Sequence, residues 1–290
     1  MGRPGSEDEG ETMKTLLVPT EPHEAMPSVL MTALLAQRRF GSYLEGFSLR
    51  PAIPDYVPID MVSGLAWQVD ETADEETRRQ AHVLFDDFVR EAGLQPSSAG
   101  STEPGYGWHP RAPAGDAFLA SHGRIFDAVV LGRPIAGKAV PSMATLEAVL
   151  FEAGRPVLIA PPMPPNSLGD TIVIAWNRST ETARSVAFAM PFLERAKRVV
   201  VLSIEGWTVP GPSGPQLADR LRHHGIPVEA ITVPSTRRSD GETILAETTR
   251  LGGDLLIKGA YTQSRLRQLI FGGATTHVLS AATMPVLMAN

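Results

Sequence analysis

The sequence predicts an α/β fold of two tandem halves, each a parallel sheet with helices on both faces. Three observations carry this. Short apolar runs of strand length alternate with helix-patterned segments along the chain. The pattern stops at a proline-dense stretch, PPMPPNSLGD at 161–170, and then restarts. Landmarks recur on both sides of that stretch. KTLLVPTEPHE (14–24) parallels DTIVIAWNRST (170–180), FDAVVLG (126–132) parallels GDLLIKG (253–259), and PVLIA (156–160) parallels PVLMA (285–289). The first copy is longer in its middle, by about the length of stretch 50–70.

Taken in order, 14–18 (KTLLV) reads as a buried strand ended by Pro19. Positions 28–39 suit a helix, with Val29, Leu30, Ala33 and Leu34 near helical spacing and arginines at the end. A second strand is expected at 43–49. Stretch 50–70 holds three prolines and no period, and reads as a long excursion. The clearest helix is 71–93, acidic at its start and closed by glycine. Positions 95–115 read mostly as loop with one irregular strand, and 116–123 as a short helix. Strand 126–132, helix 142–152 and strand 156–160 complete the first copy. The second is expected to run strand 171–175, helix 180–195 capped by Ser179 or Thr180, strand 198–204, helix 216–224, strand 227–233, helix 240–251 capped by Asp240, strand 254–258, helix 275–281 and strand 286–288. The domains follow: a disordered tail 1–13, a first domain 14–160, a linker 161–170 and a second domain 171–290.

Hydrophobic residues make up 43% of the 290 and charged residues 20%, enough apolar material for real cores. The net charge of -6 sets up no field that would favour nucleic acid or an anionic membrane. Cysteine is absent, which excludes disulfides, thiol catalysis and cysteine-ligated metal. No apolar run approaches a membrane span, and MGRPGSEDEGETM lacks the basic start and apolar core of a signal peptide. A cytoplasmic protein is expected.

The chemistry concentrates near the C-terminus. Gly272 and Gly273 free the backbone just before a helix, and a glycine pair at a helix start exposes N–H groups and the positive dipole end that hold phosphate. Ser264, Arg265 and Arg267 make the preceding loop basic, fit either for polyphosphate or for solvent. Thr275 and Thr276 are placed to cap the helix from Gly273. The seven histidines are scattered and no His/Asp/Glu group has ligand spacing, so no metal is expected. Walker and nucleophile-elbow motifs are absent.

This C-terminal region, from Gly259 through QSRLRQLIFGG to THVL, resembles that of universal stress protein domains. Nucleotide-binding members carry glycine, two residues, glycine, nine residues, glycine and a small residue. Gly259, Gly272 and Gly273 fill the first, third and fourth positions, and Thr262 stands at the second. The resemblance implies two Rossmann-like open sheets of strand order 3-2-1-4-5, paired through their last strands as an internal pseudo-dimer, with a homodimer as a further assembly. It implies a stress-response role with ATP or AMP bound in the second domain without efficient catalysis. The implied site comprises Ala175, Trp176 and Asn177 after the first strand of that domain, then Gly259, Thr262, Arg265, Gly272, Gly273, Ala274 and Thr275. Asn177 stands beside the position of the family's adenosine-contacting aspartate, and equally suits a turn. The first copy has no glycine pair before its last helix and carries Thr20 or Glu21 at the aspartate position, so it is expected to be nucleotide-free. Two alternatives stay open: a nucleotide-free scaffold of the same fold, and a slow ATP hydrolase.

Overall fold

The computed structural model describes residues 12–52, 71–97, 100–260 and 273–290. The first half runs β1 (Thr15–Thr20), α1 (Met26–Phe40), β2 (Tyr43–Ser48), α2 (Glu71–Glu91), β3 (Gly105–His109), α3 (Asp116–His122), β4 (Ala128–Gly132), α4 (Met143–Glu152) and β5 (Val157–Ala160). The second runs β6 (Thr171–Ala175), α5 (Thr180–Phe188), α6 (Met190–Glu194), β7 (Arg198–Ile204), α7 (Gly214–Arg222), β8 (Val228–Val233), α8 (Asp240–Arg250), β9 (Leu255–Gly259), α9 (Gly273–Ala281) and β10 (Val286–Ala289). The excursion expected at 50–70 lies, from 53 on, outside the described residues.

The strands form one sheet in the order β3-β2-β1-β4-β5-β10-β9-β6-β7-β8. Each half has the order 3-2-1-4-5. The two expected sheets are joined into one by β5 and β10, which pair antiparallel with Leu287 opposite Leu158, Val286 opposite Ile159 and Met288 opposite Val157. The other strand pairs are parallel. Pairing the last strands covers two apolar edges that would otherwise template aggregation.

Parallel strands with helices on both faces bury every position, so these runs are apolar throughout. Leu16, Val18, Leu255 and Ile257 face one core, and Leu17 and Leu256 face the other. Each core runs unbroken across the β5–β10 junction, from Leu158 to Leu287 on one face and from Ile159 to Met288 on the other. On the first face Phe40 of α1 meets Phe192 of α6 edge to face at 4.7 Å. Beside them Arg39 donates to the Gly169 carbonyl at 2.7 Å and to Asp170 Oδ1 at 3.2 Å, fixing the end of stretch 161–170 against α1.

Two aspartates repeat one device. Asp254, just before β9, accepts from the backbone N–H of Gly169 (3.1 Å), Asp170 (3.1 Å) and Thr171 (2.9 Å). Asp127, just before β4, accepts from those of Lys14 (2.7 Å) and Thr15 (2.9 Å). Each carboxylate thereby pins the start of the first strand of its half beside the fourth.

Three local expectations are corrected. Pro19 does not end β1: it pairs with Phe47, and β1 meets β4 only through Leu16 and Leu17, so the N–H that proline lacks is not needed on that side. The helix expected over 180–195 breaks at Ala189, because Pro191 cannot donate within a helix and instead opens α6. Ser239, not Asp240, caps α8 in a reciprocal capping box with Glu242. Met13, which the expected tail includes, is 2% exposed, and its carbonyl accepts from the Ser42 hydroxyl.

Candidate functional site

In an open parallel sheet, a crevice forms outside the C-terminal strand ends where neighbouring connections leave in opposite directions. In the second half that point lies between β6, which leads out to β7, and β9 on its other side; Ile174 pairs with Ile257 there.

The end of β6 is tightly engaged within the protein. Ala175 is buried and Trp176 is 4% exposed, its indole N–H donating to the Pro212 carbonyl at 2.9 Å. Asn177 Oδ1 accepts from the Ser179 N–H (3.2 Å) and the Thr182 hydroxyl (2.7 Å). Ser179 in turn caps α5 through the Thr182 N–H. Asn177 thus takes the turn role, setting the entry into α5. Arg178 follows with φ 70°, the left-handed region that L side chains seldom occupy. A cleft of about 460 Å³ beside Trp176 is lined by Pro212, Gln216 and Leu217, with Gln216 committed to the cap of α7.

Gly259 ends β9 against the first turn of α5. A Cβ added there would lie 2.5 Å from the Thr182 nitrogen and 2.7 Å from the Glu181 carbonyl carbon, both backbone atoms. The glycine is required for this close approach of helix to strand. Gly259→Ala is therefore expected to lower stability by about 1–3 kcal/mol through overpacking, read as a reduced denaturation midpoint. Ser185 of α5 reinforces the contact, donating to the Lys258 carbonyl (3.1 Å) and accepting from the Ala289 N–H (3.0 Å).

α9 starts at Gly273, with Ala274 and Thr275 in its first turn, so Thr275 is inside the helix and is not its cap. Among the described residues, an added Cβ at Gly273 would meet nothing within 4 Å. Thr262, Arg265 and Gly272 lie outside the described residues, as do Ser264 and Arg267. Of the ten residues implied by the resemblance, the structure brings Ala175, Trp176, Asn177 and Gly259 to neighbouring strand ends and places Gly273, Ala274 and Thr275 at the start of α9.

Sequence reasoning missed Lys258, whose signal was a single charge inside an apolar strand run. It shares the sheet face of Leu256, the face packed by α8 and α9. It is 4% exposed, and its ammonium donates to the Thr275 hydroxyl at 2.7 Å and to the Gly259 carbonyl at 2.9 Å. The Trp207 ring centroid is 6.0 Å away. Burial pushes the Lys258 amine down to about 8. Among the described residues no carboxylate lies within ion-pair distance of it. The sequence 261–272 contains no acidic residue either.

The corresponding crevice of the first half is filled. An added Cβ at Gly132 would lie 2.6 Å from Pro141 Cγ and 3.2 Å from Val29. The void beside it holds about 10 Å³, room for about one water. Glu21 lines it, its carboxyl pushed up to about 7 by burial and then by the Asp116 charge. His23 Nε2 stands 3.9 Å from Glu21 Oε1, and burial pushes its pKa down. Among the described residues no group of three or more His, Asp or Glu could hold a metal, and no helix is long and apolar enough to cross a membrane.

Two five-stranded halves fused through their last strands make this the tandem fold of the universal stress proteins. Two solved structures are similar to it over nearly the whole chain. One is a universal stress protein from Archaeoglobus fulgidus DSM 4304, with a TM-score of 0.72 at 16% identity, covering 96% of this chain and 97% of that one. The other, a functionally unknown protein from Pseudomonas aeruginosa PAO1, has a TM-score of 0.53 at 14% identity and covers 96% and 92%. At these identities the likeness shows the fold. No family model matches the chain, and no curated protein matches it.

Proposed function

We propose that the protein is a stress-response protein of the tandem universal stress protein type that binds ATP or AMP in its second half without efficient catalysis. The halves divide at 161–170, and the first serves as the structural partner of the second. The observation that carries this reading is Lys258: a buried ammonium at the first turn of α9 with no counter-charge among the described residues. A phosphate would supply that charge where the helix end also favours an anion. The filled crevice at Gly132 supports one site rather than two.

Millimolar ATP is expected to raise the thermal midpoint by several degrees, since ligand at a hundredfold excess over Kd stabilises by about 2.7 kcal/mol. No shift at any concentration would count against the reading. The second reading, a nucleotide-free interaction protein, is favoured by the internal commitment of Trp176 and Asn177. A Thr262→Gly variant that gained ATP binding where the parent showed none would support it.

A further inference from the structure

We propose that stretch 134–141 is a pH-driven lid over the crevice of the first half, closed while Glu21 is protonated and lifted when Glu21 ionises.

The stretch runs between two fixed ends. Before it, Arg133 donates its backbone N–H to the Ala160 carbonyl at 2.9 Å, and its guanidinium donates to the carbonyls of Leu279 and Ser280 at the end of α9. After it, Ser142 caps α4 through the Thr145 N–H at 3.0 Å. Between these ends, among the described residues, the Lys138 N–H turns back to the Ile135 carbonyl at 3.1 Å within the stretch itself. The Lys138 ammonium reaches Glu24 at 3.4 Å, but both side chains are more than half exposed, and such pairs hold little. Positions 136–139 are exposed. What closes the crevice is Pro141, buried against Gly132 and lining the same small void as Glu21.

The charges under the lid make that closure conditional. Among the described residues no donor lies within hydrogen-bond distance of the Glu21 carboxyl; the nearest cationic candidate, His23 Nε2, is 3.9 Å away. His23 Nδ1 accepts from the Ala25 N–H at 3.1 Å, and burial holds the ring in its neutral form. Asp116 of α3 accepts from the Thr145 hydroxyl at 2.8 Å and sets a like charge against Glu21. Lys138, the cation of the lid, is engaged with Glu24. From α1 and β4 the void is faced by Met26, Val29 and Leu131. A protonated Glu21 fits these surroundings. An ionised one has neither donor nor counter-charge, and lifting Pro141 brings it water. The closed form holds the carboxyl at about 7, and the open form returns it to the ordinary 4.5. Opening is therefore favoured as pH rises from 4.5 through 7 and levels off above that. The opened crevice presents two carboxylates, Glu21 and Asp116, which repel phosphate, so opening adds no second nucleotide site.

Slow oxidation of the full chain by dilute hydrogen peroxide, followed residue by residue with mass spectrometry, tests this. Methionine is oxidised to its sulfoxide at a rate that follows the exposed fraction. Met26 lines the void and Met288 lies in β10, and both are 0% exposed. Between pH 4.5 and 8 the oxidation of Met26 is expected to quicken at least about tenfold while that of Met288 does not change, the scale set by a carboxyl moving between 7 and 4.5. In Glu21→Gln, Met26 is expected to stay slow at both pH values. A Met26 rate that does not change with pH would overturn the lid. Met26 and Met288 quickening together would show global unfolding in its place. A rise that persists in Glu21→Gln would overturn the role of Glu21. The comparison of the two methionines in the parent decides whether a lid opens even where the variant fails to fold.

Discussion

Replacing Asp254 with alanine is expected to lower the free energy of unfolding by about 2–4 kcal/mol, measured by urea denaturation. The carboxylate accepts three consecutive backbone N–H groups, from Gly169, Asp170 and Thr171. Hydrogen bonds to a charged group contribute about 1.5–3 kcal/mol each, and sharing one carboxylate makes the sum much less than additive. The affected segment is half-buried, so water replaces part of what is lost. The effect is still large because these bonds fix where β6 begins beside β9, and β6 is central to its half. Asp254→Asn keeps one acceptor oxygen and should lose about half as much. A midpoint unchanged in both variants would show that the pinning of β6 contributes nothing.

Glu21→Gln is expected to act in the opposite direction and only at the right pH. The Glu21 carboxyl stands at about 7 in the folded protein against an ordinary 4.5, chiefly through burial. Its folded pKa is raised, so the unfolded chain ionises first. Stability from this group is fully present below 4.5 and is lost as pH rises through 7. A shift of this size corresponds to on the order of 3 kcal/mol, at about 1.4 kcal/mol per unit. Because the side chain is 18% exposed, we expect roughly 2 kcal/mol of that. Glutamine, always neutral, should therefore be about 2 kcal/mol more stable than the parent at pH 8 and equal to it at pH 4. His23 lies 3.9 Å away and is present in both proteins, so the difference between variant and parent at each pH reports chiefly on Glu21. A difference that does not change between pH 4 and 8 would contradict the assigned burial.

Much of this fold was legible because its evidence is local. β6 and β7 occupy the expected 171–175 and 198–204, since unbroken apolar runs bounded by Asp170, Asn177 and Glu205 leave little choice of ends. The recurrence of PVLIA and PVLMA marked equivalent strands of the two halves, while their pairing with each other was implied by the resemblance and not by these residues. What was not legible depends on groups distant in sequence. The crowding that demands glycine at 259 comes from α5, about eighty residues earlier. Asn177 could be read as ligand contact or turn, and the hydroxyl that takes its oxygen in the turn comes from Thr182, five residues on. Lys258 went unread inside its strand run, because its partner Thr275 comes from a helix 17 residues on. Ser239 and Asp240 both suit a helix cap, and only the reciprocal contact with Glu242 decides between them.

The central claim is a single phosphate-holding site, in the second half, with the first half filled. Native mass spectrometry of the full chain titrated with ATP tests it most directly, because it counts ligands per chain. The account predicts one ATP per chain at saturation in the parent and strongly reduced occupancy in Lys258→Met. Two ATP per chain, or full occupancy in Lys258→Met, would contradict it.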